Sequence, residues 1–365
     1  MVARVVPACW ALTIILCSCA PAITKMPVSN GVAKVSCCGA DCQQCIHVKY
    51  LGVGGFLIQR GEDGILTAPF FSNPSLLRVL LWRIRADPER INTFLPPVEN
   101  VRAILVGHAH YDHLMDIPYI AQERAPYATI YGSQTMKNIL AAVLPPERLV
   151  ALDNEAAEPT KTPGKWQGVP GTKIRLMAIK SEHAPHVCLF RRHGCIKVFT
   201  GEVAAPLNRL PETAWGWKEG QTVAYLIDFL DNKGAIKFRI YYQDAASTPP
   251  WGFPPAFEIE TQKAVDLAIL CVPGFKYVEG YPRGIIQWIK PRFVILTHWE
   301  DFFRPRTGDP GDLRVVPDGT DPTIFIKQLE EALPTITWLM PRPGAWLQFE
   351  VEKLPAQLPS ARNRH

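Results

Sequence analysis

The sequence predicts an α/β fold, and three observations predict it. Short apolar runs with strand alternation recur along most of the chain. Helix-like stretches are interspersed among them instead of being gathered at one end. The 34 prolines in 365 residues leave room for few long uninterrupted helices. A hydrophobic fraction of 47% with 20% charged residues fits a globular chain with a sizeable core, and excludes both disorder and a multi-span membrane protein. The net charge of +5 is small for this length and no block of like charges stands out. Nucleic acid is therefore not an expected partner, whereas a mildly anionic surface or substrate is compatible.

Residues 1–19 read as an export signal, with Arg4 ahead of an apolar stretch from Val5 to Leu16 that Pro7 interrupts. The run Leu16-Cys17-Ser18-Cys19 resembles the bacterial lipoprotein signal, which implies a lipid anchor on Cys19 and a cell-envelope protein facing the periplasm. Cys17 departs from the usual residue there. Cleavage after Ala20-Pro21-Ala22, giving a secreted soluble protein, and an uncleaved anchor are the other readings. Residues 20–45 read as a linker in which Cys37, Cys38, Cys42 and Cys45 crowd together. In an oxidising compartment disulfides are the default for these and for Cys188 with Cys195; zinc or thiol redox chemistry is the alternative for the C-x-x-C pair Cys42 and Cys45.

The folded part is expected over 46–350, with a tail at 351–365. Strands are expected at Ile46–Leu51, Phe56–Arg60 and Ile65–Thr67, with Gly52, Gly54 and Gly55 forming a tight connection, since no helix follows them. Leu76–Ile84 reads as an apolar helix, a packing element or pocket lid more readily than a membrane contact. A buried strand Val101–Val106 precedes a helix expected over Met115–Glu123. Then come a strand at Ala128–Tyr131 and a Ser133-capped helix over Gln134–Val143. Later strands are expected at Ile174–Ile179, Val223–Phe229, Phe238–Tyr242, Leu267–Val272 and Phe293–Leu296. A helix at Thr323–Leu333 and a strand at Trp346–Glu350 close the domain.

Chemistry concentrates in Gly107-His108-Ala109-His110-Tyr111-Asp112-His113, at the end of an apolar strand. Three imidazoles and a carboxylate so close together are costly unless something binds them, and zinc, iron and manganese all accept such ligands. Alternation aims His108 and His110 at one ion, and the turn beyond lets Asp112 and His113 face another. The run resembles the H-x-H-x-D-H signature of the metallo-β-lactamase superfamily. That resemblance implies an αββα four-layer sandwich, two mixed β-sheets flanked by helices, and two divalent metal ions, zinc first among the candidates. It implies that His108, His110 and His183 hold one metal, that Asp112, His113 and His298 hold the second, and that Asp244 bridges. His183 and His186 both follow the strand ending at Ile179; His183 is taken as the ligand and His186 as substrate-facing, with an exchange of the two left open.

By the same resemblance the reaction is hydrolysis by a metal-bridging hydroxide, with Asp112, Asp244 and His186 as the catalytic side chains. The Thr67-Ala68-Pro69-Phe70 strand end and His298-Trp299-Glu300 look most like the branch of N-acyl-phosphatidylethanolamine phospholipase D and the ascorbate-6-phosphate lactonases. A phosphodiester or lipid-like ester is the substrate so implied. Ala68 stands where that branch carries a supporting aspartate, which puts full activity in doubt; Asp116 is a candidate substitute. Arg191, Arg192, Trp215 and Trp217 in the 187–220 insertion are candidates for a phosphate and an apolar pocket, or for a surface excursion pinned by Cys188 and Cys195. The competing functional class is a metal-binding envelope lipoprotein with a binding or assembly role.

Overall fold

Strand alternation over residues 33–151, joined by the last strand at 346–350, builds one sheet, and over residues 166–339 most of the strands build another. The computed structural model describes residues 33–35, 45–159, 162–190, 193–307, 312–317 and 320–351. The export signal, Cys19, Cys37, Cys38, Cys42, Arg191, Arg192 and residues 352–365 lie outside the described residues. The first strands are β1 (Ala33–Val35), β2 (Cys45–Gly52), β3 (Gly55–Arg60), β4 (Asp63–Thr67), β5 (Val101–Leu105), β6 (Thr129–Gly132) and β7 (Leu149–Ala151). Then follow β8 (Trp166–Gly168), β9 (Ile174–Lys180), β10 (Val187–Phe190) and β11 (His193–Ile196). The rest are β12 (Val223–Leu230), β13 (Ile236–Gln243), β14 (Leu267–Cys271), β15 (Phe293–Thr297), β16 (Thr337–Leu339) and β17 (Trp346–Glu350).

One sheet has eight strands in the order β1-β17-β2-β3-β4-β5-β6-β7, the other seven in the order β16-β15-β14-β13-β12-β9-β8. Both are mixed: β17, β2, β3 and β4 pair antiparallel and β4 to β7 parallel, while β13 to β16 are parallel and β8, β9, β12 and β13 antiparallel. This is the expected sandwich of two mixed sheets flanked by helices. The short β1 falls inside the segment read as a linker and pairs parallel with β17.

Period-two alternation decides which residues meet between the sheets. Ile46, Val48 and Ile58 from one sheet and Leu176, Ile227 and Ile240 from the other belong to a single buried cluster. The opposite faces are apolar as well: Ile104 and Val106 beside β5, and Ala268 and Leu270 of β14, pack into a second cluster with the helices. Parallel strands covered on both faces read as continuous hydrophobic runs, as β14 does.

The helices depart from expectation where proline intervenes. The stretch 115–123 is broken into Tyr111–Leu114, Ile117–Tyr119 and a π-turn Ile120–Arg124, because Pro118 removes an amide donor within it. The helix after Ser133 stops at Leu140, and the one after Ser75 spans only Leu76–Leu81. Pro322–Ala332 forms as expected, capped by Asp321. Two helices had not been anticipated, Pro88–Phe94 and Arg283–Ile289. The first carried its own signal, an Asp87 cap that accepts from Arg90 N at 3.2 Å, followed by proline at the first helical position.

Candidate metal centre

The residues just past the C-terminal ends of β5, β13 and β15 meet at one edge of the sandwich, where open α/β sheets characteristically present ligands. After β5 the chain bends at Gly107 and His108, then turns past His110 into the helix Tyr111–Leu114, in which Asp112 and His113 are buried. Three backbone hydrogen bonds fix this loop: Val106 N to Tyr131 O at 2.9 Å, Ala109 N to Glu219 O at 2.9 Å, and Val223 N to Gly107 O at 2.7 Å.

All seven sequence-predicted ligands come together. Ligand atoms of His108, His110 and His183 lie within 4.8 Å of one another, as do those of Asp112, His113 and His298. Asp244 stands between the two triads, with Oδ1 3.1 Å from His108 Nδ1 and Oδ2 3.2 Å from His113 Nδ1. Asp112 Oδ2 is 3.4 Å from His113 Nε2 and 3.2 Å from His298 Nε2. Asp244 thus touches one histidine of each triad.

A metal fits these donors on two observations. His108 Nε2 and His110 Nε2 are buried without a hydrogen-bond partner, a cost that coordination removes. The charges also favour a cation. Burial raises the carboxyls of Asp112 and Asp244, but the neighbouring imidazoles outweigh it and hold both well below the usual carboxylate range. Burial and the adjacent imidazoles push His110 and His183 well below their ordinary value, leaving them as neutral donors. For His108 burial acts downward, but Asp244 prevails and the net shift is upward.

The two histidines past β9 differ in tautomer. His183 Nδ1 lies 2.6 Å from Ala184 O, and a carbonyl only accepts, so Nδ1 carries the proton and Nε2 keeps its lone pair. His186 Nδ1 accepts from Val198 N at 3.2 Å, so its neutral ring is protonated on Nε2. Burial pushes the His186 ring down to about 4, so it is neutral at pH 7. The rings stack at 4.7 Å, but His183 offers a ligand atom and His186 a hydrogen-bond donor. Behind them β10 and β11 form a hairpin closed by the Cys188–Cys195 disulfide, and His186 N donates to Ile196 O at 3.0 Å.

Several supporting residues were not singled out from sequence. A Cβ at Gly107 would overlap the Asp244 carboxylate, and Gly107 N donates to Asp244 Oδ2 at 3.1 Å. A Cβ at Gly54 would stand 2.9 Å from His113 Nδ1 and 2.8 Å from the Tyr242 hydroxyl. Glycine is required at both places by close approach. His298 has φ 62°, in the left-handed region, and is held there by a chain of hydrogen bonds. Its N–H donates to the Tyr50 hydroxyl at 3.0 Å, and Tyr50 donates to buried Glu300. The signal for this network was Glu300, a carboxylate two residues past an apolar strand and its histidine.

Two expectations need correction. Asp116 does not face the metal ligands; it accepts from Phe71 N at 2.6 Å, Ser72 N at 3.0 Å and the Ser72 hydroxyl, pinning the loop after β4. Ala68 is fully buried with N donating to Leu105 O at 2.8 Å, so only a methyl stands where the branch has a carboxylate. Trp215 and Trp217 do not line the cleft above the ligands. Its walls are Val79, Leu80, Phe199, Phe302, Phe303 and Val316, enclosing ≈ 230 Å³ over His110, Asp112, Asp244 and His298. Trp215 packs behind Phe199 at 4.9 Å, and Trp217 is buried. Phe253 stacks on Trp288 at 5.6 Å, away from the cleft.

The family model described as "Beta-lactamase superfamily domain" matches residues 65–197, which include every candidate ligand except Asp244 and His298. No curated protein sequence matches the chain. Among solved structures it is similar to Igni18, a metallo hydrolase from the archaeon Ignicoccus hospitalis, at 14% identity and TM-score 0.51, over 84% of this chain and 100% of that one. It is also similar to an isothiocyanate hydrolase from Delia radicum gut bacteria, at 12% identity and TM-score 0.47, over 83% and 99% of the two chains. The metallo-β-lactamase fold protein YhfI of Bacillus subtilis aligns at 14% identity and TM-score 0.46, over 84% and 100%. The chain thus has the metallo-β-lactamase fold, with a match to the β-lactamase superfamily over the stretch that carries its histidine motif.

Proposed function

We propose that this protein is a dinuclear metal-dependent hydrolase acting on a phosphodiester or lipid-like ester. The observation that carries the reading is the pair of His/Asp triads joined through Asp244 at the floor of an apolar cleft. His108, His110 and His183 would hold one divalent ion and Asp112, His113 and His298 the other, with Asp244 between them. Zinc is the first candidate, and iron and manganese suit the same donors. When bound, such ions supply Lewis acidity and an acidified water.

The chain's own residues supply the remainder. Asp112 and Asp244, both held ionised, accept hydrogen bonds from the attacking water and orient it toward the cleft. His186 Nε2–H donates to an oxygen of the substrate, and as an Nε2 donor fixed by Val198 it needs no rearrangement to do so. Phe199, Phe302 and Phe303 exclude water and receive an apolar substituent, which favours a lipid-like substrate. Resemblance to N-acyl-phosphatidylethanolamine phospholipase D, from which the chain departs at Ala68, is what favours a phosphodiester over other esters. The location that goes with this reading is the bacterial cell envelope, through a lipid anchor at Cys19.

The test is metal content of the purified chain together with hydrolysis of bis(p-nitrophenyl) phosphate and a simple lactone, repeated on His110→Ala and Asp244→Ala. About two metals per chain, with activity lost in both variants, is the expected outcome. Ala68 favours a second reading, a metal-binding envelope lipoprotein without catalysis. Metal bound tightly with neither substrate turned over would select it.

A further inference from the structure

The helix Leu76–Leu81 has two apolar faces. Leu76, Val79 and Leu80 line the cleft. Leu77 and Leu81, with Trp82 just beyond, point away from it and are 52%, 60% and 56% exposed. Ile84 N donates to Glu212 O at 2.8 Å, which ties the helix end to the segment bearing Trp215, itself 49% exposed. Single exposed apolar side chains are ordinary on a protein surface, but four large ones on two linked segments make a patch. Arg78, Arg83 and Arg85 are exposed on the same stretch, and Glu212 pairs with Arg83 at 3.2 Å.

From this geometry we infer that the Leu77, Leu81, Trp82 and Trp215 patch docks the folded domain on an anionic lipid bilayer, beside the cleft. Leucines and tryptophans among arginines are what an interfacial segment presents: aliphatic side chains below the headgroups, indoles at their level, guanidiniums on the phosphates. The patch is continuous with the cleft. The same helix forms both surfaces, and Trp215 contacts Phe199, which lies 5.8 Å from the His110 ring. An apolar chain leaving the bilayer would therefore pass from one apolar surface to the other. Docking needs no catalysis; delivery of a lipid to the ligands rests on the hydrolase reading. Among the described residues no helix is long and apolar enough to cross a membrane.

Hydrogen exchange on the full chain tests it, because the readout is local and an N-terminal anchor is followed through its own peptides. With vesicles of phosphatidylcholine containing about one third phosphatidylglycerol, amides of 76–85 and 212–217 are expected to exchange more slowly than without vesicles. Arg78→Gln with Arg83→Gln should weaken that protection about fivefold per charge removed. Leu77→Ser, Leu81→Ser and Trp82→Ser together should abolish it while leaving the thermal melt in place, since all three sites are exposed. Unchanged exchange at these peptides overturns the inference. So does slowing that appears without lipid and grows with protein concentration, which would assign the patch to a second copy of the chain. Equal slowing on pure phosphatidylcholine overturns the anionic surface as the partner. Protection without hydrolysis of any phosphodiester leaves docking in place and removes the catalytic reading alone.

Discussion

The two candidate triads sit side by side, yet the fold prepares them by different physics. His108, His110 and His183 form an all-imidazole set, two of whose rings are pushed well below their ordinary value by burial and by one another. Their orientation comes from the backbone, through Ala184 O at His183 and the bonded loop around Gly107. Asp112, His113 and His298 contain a carboxylate that already touches both rings, at 3.4 and 3.2 Å. That second set is oriented by side chains, with His298 resting on Tyr50 and Tyr50 on Glu300. The difference teaches that a ring such as His183 can be oriented through backbone contacts, whereas the set that contains a carboxylate rests on a further polar shell.

Gly107→Ala is the change that should erase the distinction. Its methyl displaces Asp244, the residue both triads share, so both metals should be lost and activity should fall on the order of a thousandfold. Metal content by plasma mass spectrometry checks it, and two retained ions would show that the bridging position is not essential. Substitution of His186 sharpens the contrast within the first region. His186→Phe should leave metal content unchanged and lower kcat about a hundredfold with little change in KM, whereas His183→Phe should remove a metal. If the two variants behave alike, the tautomer argument is wrong.

Tyr50→Phe probes the second region. The variant loses the hydroxyl that fixes His298 N, and about tenfold weaker binding of one metal out of two is expected, read by competition with a chromogenic chelator. Equal weakening of both sites would mean that the triads are one unit. Asp116→Asn should affect activity least and stability measurably. Burial raises the Asp116 carboxyl to about 6 from 3.8, so its stabilising contribution is complete below 3.8 and is lost as pH rises through about 6. Relative to the wild type, Asp116→Asn should therefore gain roughly 2 kcal/mol in unfolding free energy between pH 4 and 7. Urea midpoints in the presence of chelator measure this, and parallel pH profiles would refute it.

Sequence legibility followed the same division. The ligands of both triads were readable because each ends or follows an apolar strand, and β5, β9, β13 and β15 lie where alternation placed them. The choice of His183 over His186 was not fixed by spacing. It depends on which ring nitrogen meets a carbonyl and which an amide, contacts that appear only when the hairpin after β9 closes. Asp116 reads in sequence as a residue one turn past the motif, but the helix is broken at Pro118 and its side chain turns to Phe71 and Ser72. Tyr50 and Glu300 are 250 positions apart, and no local pattern relates residues that only tertiary packing brings together.

The close packing at Gly107 and Gly54 bears on how relatives with the same chemistry are to be recognised. A search pattern restricted to histidines and aspartates would admit chains in which a side chain at either glycine leaves no room for Asp244 or His113. A discriminating pattern reads Gly-His-x-His-x-Asp-His, with a glycine also in the hairpin that joins β2 to β3. Homologues that keep the ligands but fill either glycine would be the ones to sort as having given up the paired centre.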